Sequence, residues 1–107
     1  VQVLINIADY GMNVQESGDA ARLNHTGGRQ PTDTLTGDVF DGDLGTLNVE
    51  PGIPAETITA LKAMGHDVRV VSNGIMFGGY QAIARDPETG VLTGATEMRK
   101  DGQASGF

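Results

Sequence analysis

Apolar residues crowd the first eight positions of the chain, and two periods compete there. Val3, Ile5 and Ile7 alternate as in a strand, whereas Val1, Leu4, Ile5, Ala8 and Met12 fall on one face of a helix. The pattern by itself leaves both readings open. Asn13-Val14-Gln15-Glu16 then has the spacing of a capping box, an Asn oxygen for the first free amides and a Glu three residues on, and predicts a short helix over residues 14–23. Gly18 inside that helix costs roughly 1 kcal/mol relative to Ala, which implies that another backbone packs close to it.

From residue 26 to residue 45 the pattern lapses. Glycines, Pro31 and Asp33, Asp38, Asp41 and Asp43 stand among few large apolar residues, which predicts a long, mobile acidic loop. Leu47 and Val49 alternate on a short strand over residues 45–50, closed by Pro51-Gly52. Pro54 suits a first helical position, Glu56 the positive end of a helix, and Ile58, Leu61 and Met64 form an apolar stripe ended by Gly65. Val68, Val70 and Ser72 alternate as a strand, and a glycine-rich bend follows over residues 73–79. Residues 80–85 and 91–95 flank a five-residue connection holding Pro87 and Gly90, which predicts a hairpin. The polar tail completes an α+β pattern: helices near the N-terminus, one central helix, and antiparallel strands toward the C-terminus.

Composition narrows the function. The 107 residues suffice for one domain, and Ile, Val, Leu and Phe together number 25, enough for a thin core. Fourteen acidic against seven basic side chains give a net charge of −7, which excludes a surface that grips nucleic acid or acidic lipid through phosphate neutralisation. No apolar run approaches the ~20 residues that span a bilayer, and the opening is not the basic-then-apolar one of a signal peptide. The absence of cysteine removes disulfides, thiolate metal sites and cysteine nucleophiles together.

Candidate chemistry is sparse. His25 and His66 share no metal-ligand spacing, and both are read as histidines at helix C-termini, where they complement the negative end of the dipole. The stretch around Asp38, Asp41 and Asp43 offers oxygen ligands without the alternation and closing Glu of a calcium loop. Residues 74–79 lack the Lys-Ser/Thr that follows a phosphate-cradling loop, and Ser17, Ser72 and Ser105 lack a nucleophile-elbow context. No catalytic, substrate-binding, cofactor or metal residue is therefore assigned.

Taken in order, five segments resemble the γ-glutamyltransferase (γ-glutamyltranspeptidase) family, in the C-terminal part of its small subunit. Residues 1–12 are similar to that family's hydrophobic helix with its closing asparagine, aspartate and glycine, and Ala20-Ala21-Arg22-Leu23-Asn24-His25 to its Ala-x-Arg-x-x-His segment. Leu61 to Val68 resemble its Leu-x-x-x-Gly-His-x-Val helix exit, Gly79 to Ile83 its Gly-x-Gln-x-Ile strand, and Gly94 to Ala104 its closing Gly-Ala-x-Asp-Pro-Arg-x-Asp-Gly-x-Ala. The departure is Glu97-Met98 where Asp-Pro is usual, which alters the turn in the tail.

The resemblance implies an N-terminal nucleophile hydrolase with an αββα sandwich, matured by self-cleavage into large and small subunits, and transferring the γ-glutamyl group of glutathione or related amides. Its nucleophile is a Thr whose own α-amine acts as base. A serine pair holds the substrate carboxylate and a glycine pair supplies oxyanion donors, all upstream of the helix that begins here at Val1. Residues 1–107 are accordingly expected to be one structural segment of such an enzyme, inactive alone and without a cofactor. Its expected partners are the remainder of the small subunit and the large subunit, with a glutathione-like substrate only in the complete enzyme. Alternatives are a freestanding α+β binding module and a segment of a related amide hydrolase or acylase. For bacterial members a periplasmic or secreted location is expected. The resemblance also favours a helix over residues 1–10, and a fragment cut from such a sandwich is expected to be marginally stable and to self-associate.

Overall fold

The computed structural model describes residues 1–27 and 45–105. The acidic loop expected over residues 26–45, with Asp38, Asp41 and Asp43, lies outside the described residues apart from its ends. The fold is α+β, in the order α1 (Gln2–Ala8), α2 (Val14–Asp19), β1 (Leu23–Thr26), β2 (Thr46–Val49), α3 (Ala55–Ala63), β3 (Asp67–Val70), a 3-10 turn (Gly74–Phe77), β4 (Gln81–Arg85) and β5 (Leu92–Thr96). It divides into two compact units, residues 1–20 with 74–107, and residues 21–73.

In the first unit the opening segment is a helix, so the strand-like alternation of Val3, Ile5 and Ile7 is not the operative period. The side it turns inward differs from the expected one. Val3 and Ile7, four apart, are half-buried, whereas Val1, Leu4 and Ile5 are exposed, Val1 at 94% and Leu4 at 69%. The capping box of α2 is complete: Asn13 Oδ1 accepts from the amides of Gln15 and Glu16, and Glu16 Oε2 accepts from the Asn13 amide, each at 2.9 Å. This helix ends earlier than residue 23. Ala20 turns extended at ψ 142°, and Leu23 onward is recruited into β1 by pairing with β2, which satisfies more backbone groups than one further turn of helix. Gly18 makes the close approach that its position implied, but to a side chain: a Cβ there would lie 2.6 Å from Cδ1 of Tyr80. The hairpin β4–β5 is antiparallel, pairing Ala82 with Ala95 and Ala84 with Thr93 across the expected connection, and α2 packs on it.

In the second unit β2 lies between β1, antiparallel, and β3, parallel. Parallel neighbours need a crossover, and α3 supplies it, packing on β3. Val49 and Val68 are buried at 1% and 4% exposure and form the apolar centre of this unit. The stripe on α3 is partial: Ile58 and Leu61 are half-buried, but Met64, at the C-cap, is 76% exposed. Pro54 is the N-cap rather than the first helical residue. Gly65, at φ +96°, turns the chain out of α3 in a conformation that L side chains resist. Buried Asn48 is held by its own strand neighbours, its amide donating to Thr26 Oγ1 at 2.9 Å.

Candidate functional site

The residues considered for chemistry do not converge. His25 lies on β1 opposite Leu47, not at a helix end as expected, because the helix before it stops at Asp19. His66 does follow α3, its amide donating to the Leu61 carbonyl at 3.1 Å. Ser17 is buried, and its hydroxyl donates to the Val14 carbonyl at 3.0 Å within α2, a helix back-bond that occupies its proton. Ser72 and Ser105 are exposed. Among the described residues no three His, Asp or Glu side chains gather as a metal site would require. Residues 74–77 form a 3-10 turn with Phe77 buried beneath it, and the chain after it continues into β4 rather than a helix.

What the first unit does build is a buried polar clamp at the C-terminal end of α2. Arg99 reaches back from the turn after β5. Its guanidinium donates to the carbonyls of Gly18 at 2.8 Å and Ala20 at 3.1 Å, and to Glu97 Oε2 at 3.0 Å. The two side chains are 6% and 0% exposed, so this pair is withdrawn from water. The logic is local. The last carbonyls of a helix lack intrahelical partners and carry the negative end of its dipole, and a planar guanidinium with five donors answers both needs. Met98 between them is 80% exposed and takes no part in the clamp. Above the clamp, the Tyr80 hydroxyl donates to the Val14 carbonyl at 3.1 Å, and the Gln15 carboxamide engages the backbone of Thr96. Motif reading caught Arg99 only as one letter of the closing segment. The opposite charges of Glu97 and Arg99, two residues apart, were the signal available.

A groove of about 750 Å³ runs along the hairpin and tail, lined by Gln81, Ile83, Leu92, Gly94, Gln103 and Ser105 among others. None of its lining residues titrates near neutrality, and Ile83 and Leu92 are 72% and 64% exposed. Such a surface suits packing, and it carries no nucleophile with a base at hand.

The shifted acids lie elsewhere and are exposed. The Thr46 hydroxyl, at 2.8 Å, and then the Arg69 guanidinium hold the Asp67 carboxyl below the usual aspartate range. The amides of Thr89 and Glu88 do the same for Asp86 in the hairpin connection. A carboxyl lowered in the folded state stabilises the fold above its unfolded value, and that contribution fades as pH falls through the folded one. Carboxyl-carbon NMR titration is accordingly expected to place both midpoints below that of an aspartate in a short unstructured peptide. Midpoints at the ordinary value would contradict these contacts.

Comparison with known proteins gives these arrangements a context. The family model described as gamma-glutamyltranspeptidase matches residues 1–107. Acylase ACY 1 proenzyme of Pseudomonas sp. (strain V22) is 34% identical over 102 residues, which cover 95% of this chain and 15% of that protein. The crystal structure of cephalosporin acylase from Bacillus halodurans superposes with a TM-score of 0.78 at 37% identity, covering 99% of this chain and 17% of that one. A γ-glutamyltranspeptidase from Helicobacter pylori superposes with a TM-score of 0.66 at 28% identity, covering 92% and 45%. The chain thus spans about 15% of the length of the curated acylase it matches.

Proposed function

The chain belongs to the gamma-glutamyltranspeptidase family of N-terminal nucleophile hydrolases and transferases, and from that premise we propose that it is a scaffold segment, the C-terminal portion of the small subunit of such an enzyme. The observation that carries this reading is the asymmetry of coverage: nearly all of this chain matches a small share of each acylase. Two features of the molecule support it. The apolar side chains of Val1 at the N-cap of α1, of Leu4 on that helix, and of Ile83 and Leu92 on the hairpin are largely exposed, as on surfaces that a larger body covers. The best-built polar cluster spends the donors of Arg99 on backbone carbonyls and a carboxylate, which fixes a helix rather than a substrate.

In this reading the clamp and capping box hold α2 against the hairpin as one layer of an αββα sandwich. The nucleophilic Thr, the carboxylate-binding serines and the oxyanion glycines belong to the rest of the small subunit. The complete enzyme, with its large subunit, moves or hydrolyses the acyl group of a γ-glutamyl amide such as glutathione. A second reading, an acylase acting on another amide, is favoured by the higher identity and TM-score with the cephalosporin acylase than with the transpeptidase. Intact-mass analysis and N-terminal sequencing of the complete gene product test the common ground. The expected result is a precursor that cleaves itself to leave a small chain beginning with Thr or another hydroxyl or thiol residue and containing these 107 residues. A complete product that stays uncleaved would overturn it.

A further inference from the structure

We propose that Asn73 is a site of spontaneous covalent modification, at which the backbone nitrogen of Gly74 closes on the Asn73 carboxamide and converts the residue to an isoaspartyl or aspartyl form. The reaction balances with water as its only co-reactant. The Gly74 nitrogen, on losing its proton, bonds to the side-chain carbonyl carbon of Asn73. The bond from that carbon to the carboxamide nitrogen breaks, and the nitrogen takes up a proton and leaves as ammonia. Water then opens the cyclic imide. Opening at the main-chain carbonyl leaves the backbone running through the side chain, longer by one methylene, and opening at the side-chain carbonyl leaves aspartate. Either product adds a carboxylate to a chain whose net charge is already −7.

The chain has five asparagines, and the structure sets one apart from the other four. Closure is limited by the amide that follows the asparagine: it must be free of a hydrogen bond, able to turn toward the side chain, and unscreened by its own side chain. Ile7, Val14 and Val49, which follow Asn6, Asn13 and Asn48, are branched at Cβ, and His25 follows Asn24 with a ring. The backbone is also fixed at these positions. Asn6 lies within α1, Asn24 and Asn48 lie within β1 and β2, and the Asn13 carboxamide oxygen already accepts from two amides of α2. Buried Asn48 further commits its side-chain amide to Thr26 Oγ1. Asn73, by contrast, is exposed, lies in neither helix nor strand, and is followed by glycine. As the first residue of the 3-10 turn, Gly74 has no acceptor for its amide inside that turn, and among the described residues the amide donates to none outside it.

Packing keeps that glycine in place. A Cβ at position 74 would lie 3.1 Å from Cγ of Arg99 and 3.3 Å from its Cβ, so any larger residue would press on the stem of the side chain that clamps α2. The close approach that serves the clamp thus gives Asn73 the least hindered neighbour an asparagine can have.

Peptide mapping by mass spectrometry, with asparaginyl, aspartyl and isoaspartyl forms separated, tests this on the complete gene product incubated in its folded state at a series of pH values. Residue 73 is expected to convert at least about tenfold faster than Asn6, Asn13, Asn24 or Asn48, with isoaspartyl as the larger product and a rate that rises with hydroxide concentration. The folded protein is expected to react within about tenfold of the rate in urea, because the Gly74 amide has no hydrogen bond to break. A slower folded rate would show that the fold protects the site and would overturn the proposal. Faster conversion at another asparagine would overturn it too, as would a purely aspartyl product formed without dependence on hydroxide, the mark of direct hydrolysis. Asn73→Gln, whose longer side chain must close a larger ring, is expected to stay unmodified over the same period; conversion of that glutamine at the rate of the parent asparagine would contradict ring closure as the route.

Discussion

Replacing Arg99 by alanine is expected to cost about 3–5 kcal/mol, a loss comparable to the whole stability of a small domain. The change removes the guanidinium that donates to the Glu97 carboxylate, whose side chain is fully buried, and takes its donors from the carbonyls of Gly18 and Ala20 that close α2. A lysine at position 99, as a point charge, cannot span two carbonyls and a carboxylate as the planar fork does. The rest of the unit has little reserve, since Phe77 and Ala95 are its buried apolar residues among those described. Urea unfolding of Arg99→Ala, followed by NMR amide dispersion over residues 1–20 and 74–105, is expected to show loss of the cooperative transition. Glu97→Leu with Arg99→Met, which removes both buried charges, is expected to recover part of the loss but not all, because the guanidinium's bonds to the two carbonyls are not restored. A single variant within about 0.5 kcal/mol of the parent chain would show that the clamp does not hold the unit together.

Some of this architecture was legible in the sequence for identifiable reasons. The capping box at Asn13 and Glu16, the five-residue hairpin connection at 86–90 and the helix ended by Gly65 are local signals, and local hydrogen bonding realises them. The end of α2 differs from the expected one because Leu23 to Thr26 are decided by strand pairing with residues 46–49, far along the chain. The strand–helix–strand spacing of 46–49, 55–63 and 67–70 is that of a parallel crossover, yet alternation alone does not reveal strand direction. The inward side of α1 was misplaced because its more apolar face, with Val1 and Leu4, is the one left exposed. An apolar face left exposed looks, from the sequence, like the face that a small domain buries for itself. The Arg99 clamp escaped for a related reason: its meaning lies in where the chain returns, to the end of a helix eighty residues earlier.

The 107-residue chain by itself is expected to leave amide substrates at their uncatalysed rate. Enzymes of acyl transfer gain factors of about a million or more from a positioned nucleophile, its base and oxyanion donors acting together. None of those groups is assembled among the described residues: Ser17 is bonded within its helix, the two histidines lie apart from any serine pairing shown, and Arg99 is committed to α2. The groove along β4 and β5 could hold an apolar group, yet its lining supplies no titratable side chain to activate water. Self-cleavage and turnover belong, in this account, to the complete protein, with the present segment acting through the layer it stabilises.

The most direct measurement is therefore amine release from a chromogenic γ-glutamyl anilide and from a matched aliphatic N-acyl anilide, by the purified 107-residue chain and by the complete gene product side by side. The short chain is expected to release amine at the no-protein rate from both substrates, and the complete product to turn over at least one of them after self-cleavage. Turnover by the short chain that survives repurification and disappears on a single substitution within it, such as His25→Ala or Ser105→Ala, would contradict the claim that this segment is scaffold rather than chemistry.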